Sequence, residues 1–144
     1  MMQSFIYPKY AARIDRSIKK NFEAGGRPKK WEPSLRNRTT GRKTLVKEAI
    51  LQNSIRVIPT KTGIKAGTPV VYAAIHNFGG KINKTVTVRQ HTRRNKSGST
   101  STVKSHNREM NLTMPKREFM LQQKSDKEYL KNLIIKTFSK EISE

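Results

Sequence analysis

The residues of this chain that could take part in catalysis are few. Three histidines, His76, His91 and His106, could bind zinc or move protons. Zinc needs thiolate, imidazole or carboxylate ligands, with outer partners to orient each ring. The chain has no cysteine, and no carboxylate lies between positions 49 and 108, so the zinc reading is poorly supported. For His76, beside an apolar stretch, a satisfied hydrogen-bonding role is the better expectation than catalysis. Metal-dependent phosphodiester hydrolysis needs clustered carboxylates. The four acidic residues before position 49 are scattered, which argues against a nuclease. Gly63-Ile64-Lys65-Ala66-Gly67-Thr68 lacks the spacing that wraps backbone amides around a nucleotide phosphate. Nothing marks a nucleophile with a paired base. The expectation is a protein that is not an enzyme and needs no metal or cofactor.

Cationic chemistry is the stronger signal. The 31 Lys and Arg against 10 Asp and Glu give a formal charge of +21 and a pI near 10.7, which calls for a polyanion or acidic neighbours. Positions 49–108 carry 11 basic residues and no acidic one. Lys84, Arg89, Arg93, Arg94, Lys96, Lys104 and Arg108 could contact phosphates, which position a protein without reading sequence. Acidic faces of neighbouring subunits are an equal alternative, and basicity for solubility alone is a third. The stretch that carries these seven, about 84–108, has no aromatic residue to stack on bases, which argues against a single-strand or RNA-reading module.

These cations need elements to position them. At 144 residues, 33% of them apolar, a single domain over 1–144 with a thin core is expected. Pro8 can open a helix whose apolar residues Tyr10, Ala11, Ile14, Ile18 and Phe22 recur at helical spacing and which stops at Gly25-Gly26. Residues 25–38 read as an ordered loop in which Trp31 plugs the core. Residues 40–52 suit a second helix capped by Thr39 or Thr40. A β-hairpin follows, with Ser54-Ile55-Arg56-Val57-Ile58 as one strand, residues 60–67 as a basic turn and residues 70–75 as the return strand. Asn77-Phe78-Gly79-Gly80 forces a turn.

Thr87-Val88-Arg89-Gln90-His91-Thr92-Arg93 is echoed by Thr102-Val103-Lys104-Ser105-His106-Asn107-Arg108, around a polar tip at residues 94–101. Two matched arms predict a long projecting hairpin over about 84–108; a disordered polar loop is the alternative. Ser125-x-x-Glu128 offers a capping box for a last helix, whose apolar stripe Tyr129, Leu130, Leu133, Ile134, Phe138 and Ile142 suits core or a subunit interface. The whole reads as α+β: a mostly antiparallel β-sheet packed by two to three helices, with a long basic projecting hairpin or loop. The start of the chain has no long apolar run, so neither a signal peptide nor a membrane span is expected.

Gly25-Gly26-Arg27-Pro28-Lys29-Lys30-Trp31-Glu32-Pro33, Thr40-Gly41-Arg42-Lys43-Thr44-Leu45, Leu51-Gln52-Asn53-Ser54-Ile55, Tyr72-Ala73-Ala74-Ile75-His76-Asn77-Phe78-Gly79-Gly80 and Met114-Pro115-Lys116-Arg117-Glu118-Phe119 occur in that order. This series resembles the phage virion morphogenesis, or tail completion, family of Mu-like phages and prophages. The resemblance runs from about Phe22 to the last helix. Two departures stand out: Glu48-Ala49 replaces a Thr-Gly or Ser-Gly step, and the arm is unusually basic.

The resemblance implies a structural protein of the head-to-tail connection, or neck, or of the tail terminus. It would be a homo-oligomeric ring, six-fold, around the DNA channel, assembled in the host cytoplasm and resident in the virion. Its partners would be its own copies, neighbouring neck, connector and tail proteins and the phage DNA backbone, with no membrane. The motif residues Trp31, Tyr72, His76, Phe78, Gly79, Gly80, Pro115, Arg117 and Phe119 would be structural. Gly79-Gly80 would reverse the chain beneath Tyr72 and His76, and Pro115 would fix the exit from the arm so that Phe119 docks in the core. The alternative function is a sequence-independent DNA-binding protein.

Overall fold

The computed structural model describes residues 2–142 and has the expected α+β architecture, with every strand pair antiparallel. Its backbone is helix α1, Met2–Ala24, which buries Ile6, Tyr10, Ile14, Ile18 and Phe22, one per turn. The helix therefore begins upstream of Pro8 rather than at it. Ile6 extends the apolar stripe by one turn, and Pro8 sits on the solvent side, where its missing N–H forfeits a single helical bond. Gly25 ends the helix in the left-handed region (φ 67°): its N–H reaches the Phe22 carbonyl at 3.2 Å and that of Gly26 reaches the Asn21 carbonyl at 2.8 Å. This is the paired closure that glycine permits. A Cβ on Gly26 would lie 2.6 Å from the Lys29 carbonyl oxygen, so the turn that brings Trp31 back requires glycine. Trp31 meets Phe22 edge-on at 5.5 Å, and Phe22 meets Phe119 at 5.3 Å.

The expected second helix over residues 40–52 does not form. Its place is taken by α2 (Leu35–Thr40), a loop at 41–49 and α3 (Ile50–Ser54). Ser34 caps α2 by accepting from the Asn37 N–H, and Gly41 (φ 65°) closes it, so Thr39 and Thr40 are its last turn and not a cap. Within the loop, Leu45 (φ 64°) and Ala49 (φ 55°) adopt left-handed backbone, which a continuous helix forbids. Buried Thr44 accepts a hydrogen bond from Asn37 Nδ2 at 2.8 Å, while Leu45 and Val46 pack on the core.

The first hairpin is shorter than expected. Strand β1 (Arg56–Pro59) pairs with β2 (Ile64–Gly67), not with residues 70–75. The Thr60 N–H closes the turn on the Gly63 carbonyl at 2.8 Å. Pro69 interrupts the next apolar run, and the Thr68 hydroxyl accepts from the Val70 N–H, so the chain turns into α4 (Ala73–Phe78).

Strands β3 (Gly80–Val88) and β6 (His106–Met114) then form a nine-pair ladder, continued outward by β4 (His91–Arg94) against β5 (Thr100–Val103). The predicted projecting hairpin is present, longer at its base than residues 84–108. Helix α5 (Lys124–Ile142) returns onto α1. Its entry is not the box at Ser125 and Glu128. Asp126 accepts from the Gln123 N–H at 3.1 Å instead, placing the capping geometry two residues earlier. The stripe on α5 is half-buried at Tyr129, Leu130, Leu133 and Ile134 and open at Phe138 and Ile142. Among the described residues, no helix is long and apolar enough to cross a membrane.

Candidate interaction arm and its anchorage

The ladder β3–β6 is the stem of an arm, and its register assigns each side chain to a face. Paired residues share a face and successive residues alternate. One face holds Ile82, Val86 and Val88 of β3 with Met110, Leu112 and Met114 of β6. Lys84 and Arg108 lie on this face too, opposite Met110 and Val86. The other face holds Lys81, Asn83, Thr85 and Thr87 opposite Thr113, Asn111, Glu109 and Asn107, all exposed. On the apolar face Leu112 is still 44% exposed, and the rest of the apolar row is only half-buried. Among the described residues, no helix and no strand outside the arm packs extensively on the stem. A two-stranded ribbon with one bare apolar face is marginal by itself and gains stability when another layer covers it.

The ladder breaks once, at Arg89-Gln90 opposite Lys104-Ser105. The break gives the sequence echo a structural meaning. Val88 faces His106 and His91 faces Val103, so a local two-fold relates the strands. His91 Nδ1 donates to the Arg89 carbonyl at 3.0 Å, and His106 Nδ1 donates to the Lys104 carbonyl at 2.9 Å, two copies of one contact. Beyond the break every paired residue except Val103 is exposed. Neighbouring Arg93 and Arg94 point to opposite faces of β4, and Lys96 sits in the tip turn, closed by the Asn95 N–H on the Ser99 carbonyl at 2.7 Å. The seven predicted contact residues thus divide: Lys84 and Arg108 are on the stem, and Arg89, Arg93, Arg94, Lys96 and Lys104 at or beyond the break.

The root is rigid and largely polar. Gly79 (φ 71°) leaves α4 with its N–H on the Ile75 carbonyl, and a Cβ there would lie 2.9 Å from the Lys116 nitrogen. Past half-buried Pro115, the Arg117 N–H donates to the His76 carbonyl at 2.8 Å, and its buried guanidinium donates to the Glu32 carbonyl at 3.0 Å. Phe119 is fully buried, and its backbone is clamped from both sides. Asn77 Oδ1 accepts from the N–H groups of Phe119 and Met120 at 3.1 and 3.0 Å, and Asn21 Nδ2 donates to the Phe119 carbonyl at 2.9 Å. Trp31, Gly79, Gly80, Pro115, Arg117 and Phe119 therefore lie in or beside one anchorage. Tyr72 and Phe78 point outward, 46% and 70% exposed.

His76 departs from its expected role. Its Nδ1 is buried without a hydrogen-bond partner among the described residues, and the ring meets Tyr72 edge-on at 5.9 Å. Burial, and then the Arg117 charge, push its pKa below the usual histidine value. No three His, Cys, Asp or Glu side chains converge to hold a metal among the described residues.

Three buried polar residues, Asn21, Asn77 and Asp126, were missed in the sequence. Asp126 accepts from Ser17 Oγ at 2.6 Å and pairs with Arg13 Nε at 2.8 Å, tying α5 to α1. Burial alone would raise its pKa, but the hydrogen bonds from Ser17, Arg13 and the Gln123 N–H, with the Arg13 charge, outweigh that and hold it down. A carboxylate three residues into a helix was the available signal for Asp126. For the two asparagines there was none, since their partners are backbone groups far along the chain.

Body and arm together define a class: a small helical core that holds a cationic two-stranded ribbon out into solvent. The chain belongs to the phage virion morphogenesis family, whose model matches residues 3–139. No curated protein and no solved structure matches it. It is thus a protein of phage virion morphogenesis.

Proposed function

We propose that the chain is a non-catalytic structural protein of the phage head-to-tail connection or tail terminus. It works as a ring around the DNA channel, six-fold as the family resemblance suggests, in contact with neighbouring neck, connector and tail proteins. The carrying observation is the stem. An apolar row is held away from the body by a root of buried hydrogen bonds, as a surface would be that is completed only on assembly. A neighbouring subunit would supply the missing layer, with carboxylates to meet Lys84 and Arg108.

Electron microscopy of lysates from a phage lacking this gene tests the reading. Filled heads lying apart from tails, or tails of abnormal length, are expected. A phage carrying Val86→Glu and Leu112→Glu should show the same defect, although the purified variant keeps its body folded. Intact virions from the deletion would overturn the assignment. The second reading, a sequence-independent DNA-binding protein acting outside the virion, is favoured by the unpaired cations beyond the break. It predicts intact virions with a defect confined to DNA replication or packaging.

A further inference from the structure

The arm changes character at its break, and the outer half has the features of a nucleic-acid ligand. We propose that residues 89–105 bind the phosphate backbone of duplex DNA as a ribbon lying in a groove, while the stem, with Lys84 and Arg108, faces protein. Arg89, Arg93, Arg94, Lys96 and Lys104 make no salt bridge among the described residues, and no carboxylate occurs from 49 to 108. Half of the paired residues here, Thr92, Thr100, Ser101 and Thr102, carry short hydroxyls that donate to phosphate and let the backbone approach closely.

The dimensions fit. Two strands lie about 5 Å apart, and the major groove of B-DNA, about 12 Å wide and 8.5 Å deep, admits a two-stranded ribbon. From the break to the tip the ribbon spans roughly 20 Å at about 3.3 Å per residue. Competing partners fit less well. Beyond the break Val103 is the one half-buried apolar side chain, so the apolar centre that protein interfaces form around is missing. Single strands need stacking platforms, and the arm has no aromatic residue. The major groove of A-form RNA is too deep and narrow to enter.

The proposal deepens the reading of the chain as a lining of a DNA passage and rests on it for its setting. Its test uses only the purified full chain. Fluorescence anisotropy with a mixed-sequence 24-base-pair duplex, from 50 to 200 mM NaCl, should give a slope of log affinity against log salt of about −4 to −5 for five cations. Two unrelated duplexes should bind alike, and a single strand of equal length more weakly. Arg93→Ala, Arg94→Ala and Lys96→Ala together should reduce the slope by about 3. Lys124→Ala, Lys127→Ala and Lys131→Ala on α5, and separately Lys84→Ala with Arg108→Ala, should leave it nearly unchanged.

An equal loss from the α5 variant would show that diffuse charge binds, and would overturn the proposal. So would an unchanged slope in the arm variant, or poly-glutamate competing as well as duplex, which would point to an acidic protein. Deletion microscopy and this titration can fail independently, so loss of either claim leaves the other measurable.

Discussion

Asp126 shows how much one residue can carry in a chain with a thin core. It is fully buried, joins α5 to α1 through Arg13 and Ser17 and completes the cap of its own helix. Asp126→Asn should cost about 3 kcal/mol in urea unfolding, the low end for breaking a buried pair because Arg13 is itself a third exposed. A loss below about 1 kcal/mol would show that Ser17 and the cap suffice. Trp31→Ala and Phe119→Ala should each cost about 3 to 5 kcal/mol, and a variant as stable as wild type would remove that ring from the core. The pH dependence follows from two depressed values. His76 is held neutral by burial and then by the Arg117 charge, so its contribution is complete above the ordinary histidine pKa of about 6.5 and is lost as pH falls below it. The contribution of Asp126 is complete above about pH 4 and is lost as pH falls through its lowered folded value. The urea midpoint should therefore fall between pH 7 and 5, and His76→Gln should flatten that fall. A midpoint that is level from pH 7 to 5 in the wild type would refute the His76 account.

At the scale of elements, what could be read from the sequence was what repeats. The every-fourth-residue stripe of α1, the closure at Gly25-Gly26 and the echoed strands of the arm are local patterns, and all appear in the structure. Non-local causes stayed hidden. Leu45 and Ala49 adopt left-handed backbone because Thr44, Leu45 and Val46 are held by the core, and no local propensity foretells that. Residues 70–75 look β-prone, yet they form a turn and a helix start beside Pro69, where the Thr68 hydroxyl takes the Val70 N–H, and β1 pairs with β2 instead. The site was half legible: the cations were visible, but the apolar row of the stem was overlooked, although Ile82, Val86 and Val88 alternate with polar residues in plain period two. Because the body does not pack extensively on that row, replacing residues 82–112 by a tight turn should shift the melting temperature by only a few degrees. That expectation uses roughly 4 °C per kcal/mol for a chain of this size. A collapse of the melting transition would mean that the stem contributes to the core.

The whole molecule is governed by its charge of +21. Self-repulsion at that density opposes compaction, and salt screens it over about 10 Å at 0.1 M. Few ion pairs work in the other direction: of the five described salt bridges only Arg13–Asp126 has a buried partner, and the other four join exposed or half-exposed side chains whose net worth is small. Screening should therefore relieve more repulsion than it weakens attraction. Raising NaCl from 20 to 300 mM should raise the melting temperature by several degrees, about 4 °C for each kcal/mol relieved. Duplex DNA at low salt should raise it further, because a ligand that binds only the folded chain stabilises it by mass action. A melting temperature that falls with salt would mean that surface pairing outweighs repulsion, and that the cations already find their partners within the chain. A rise leaves them in search of an external polyanion, with the outer arm as a place where five exposed ones are gathered.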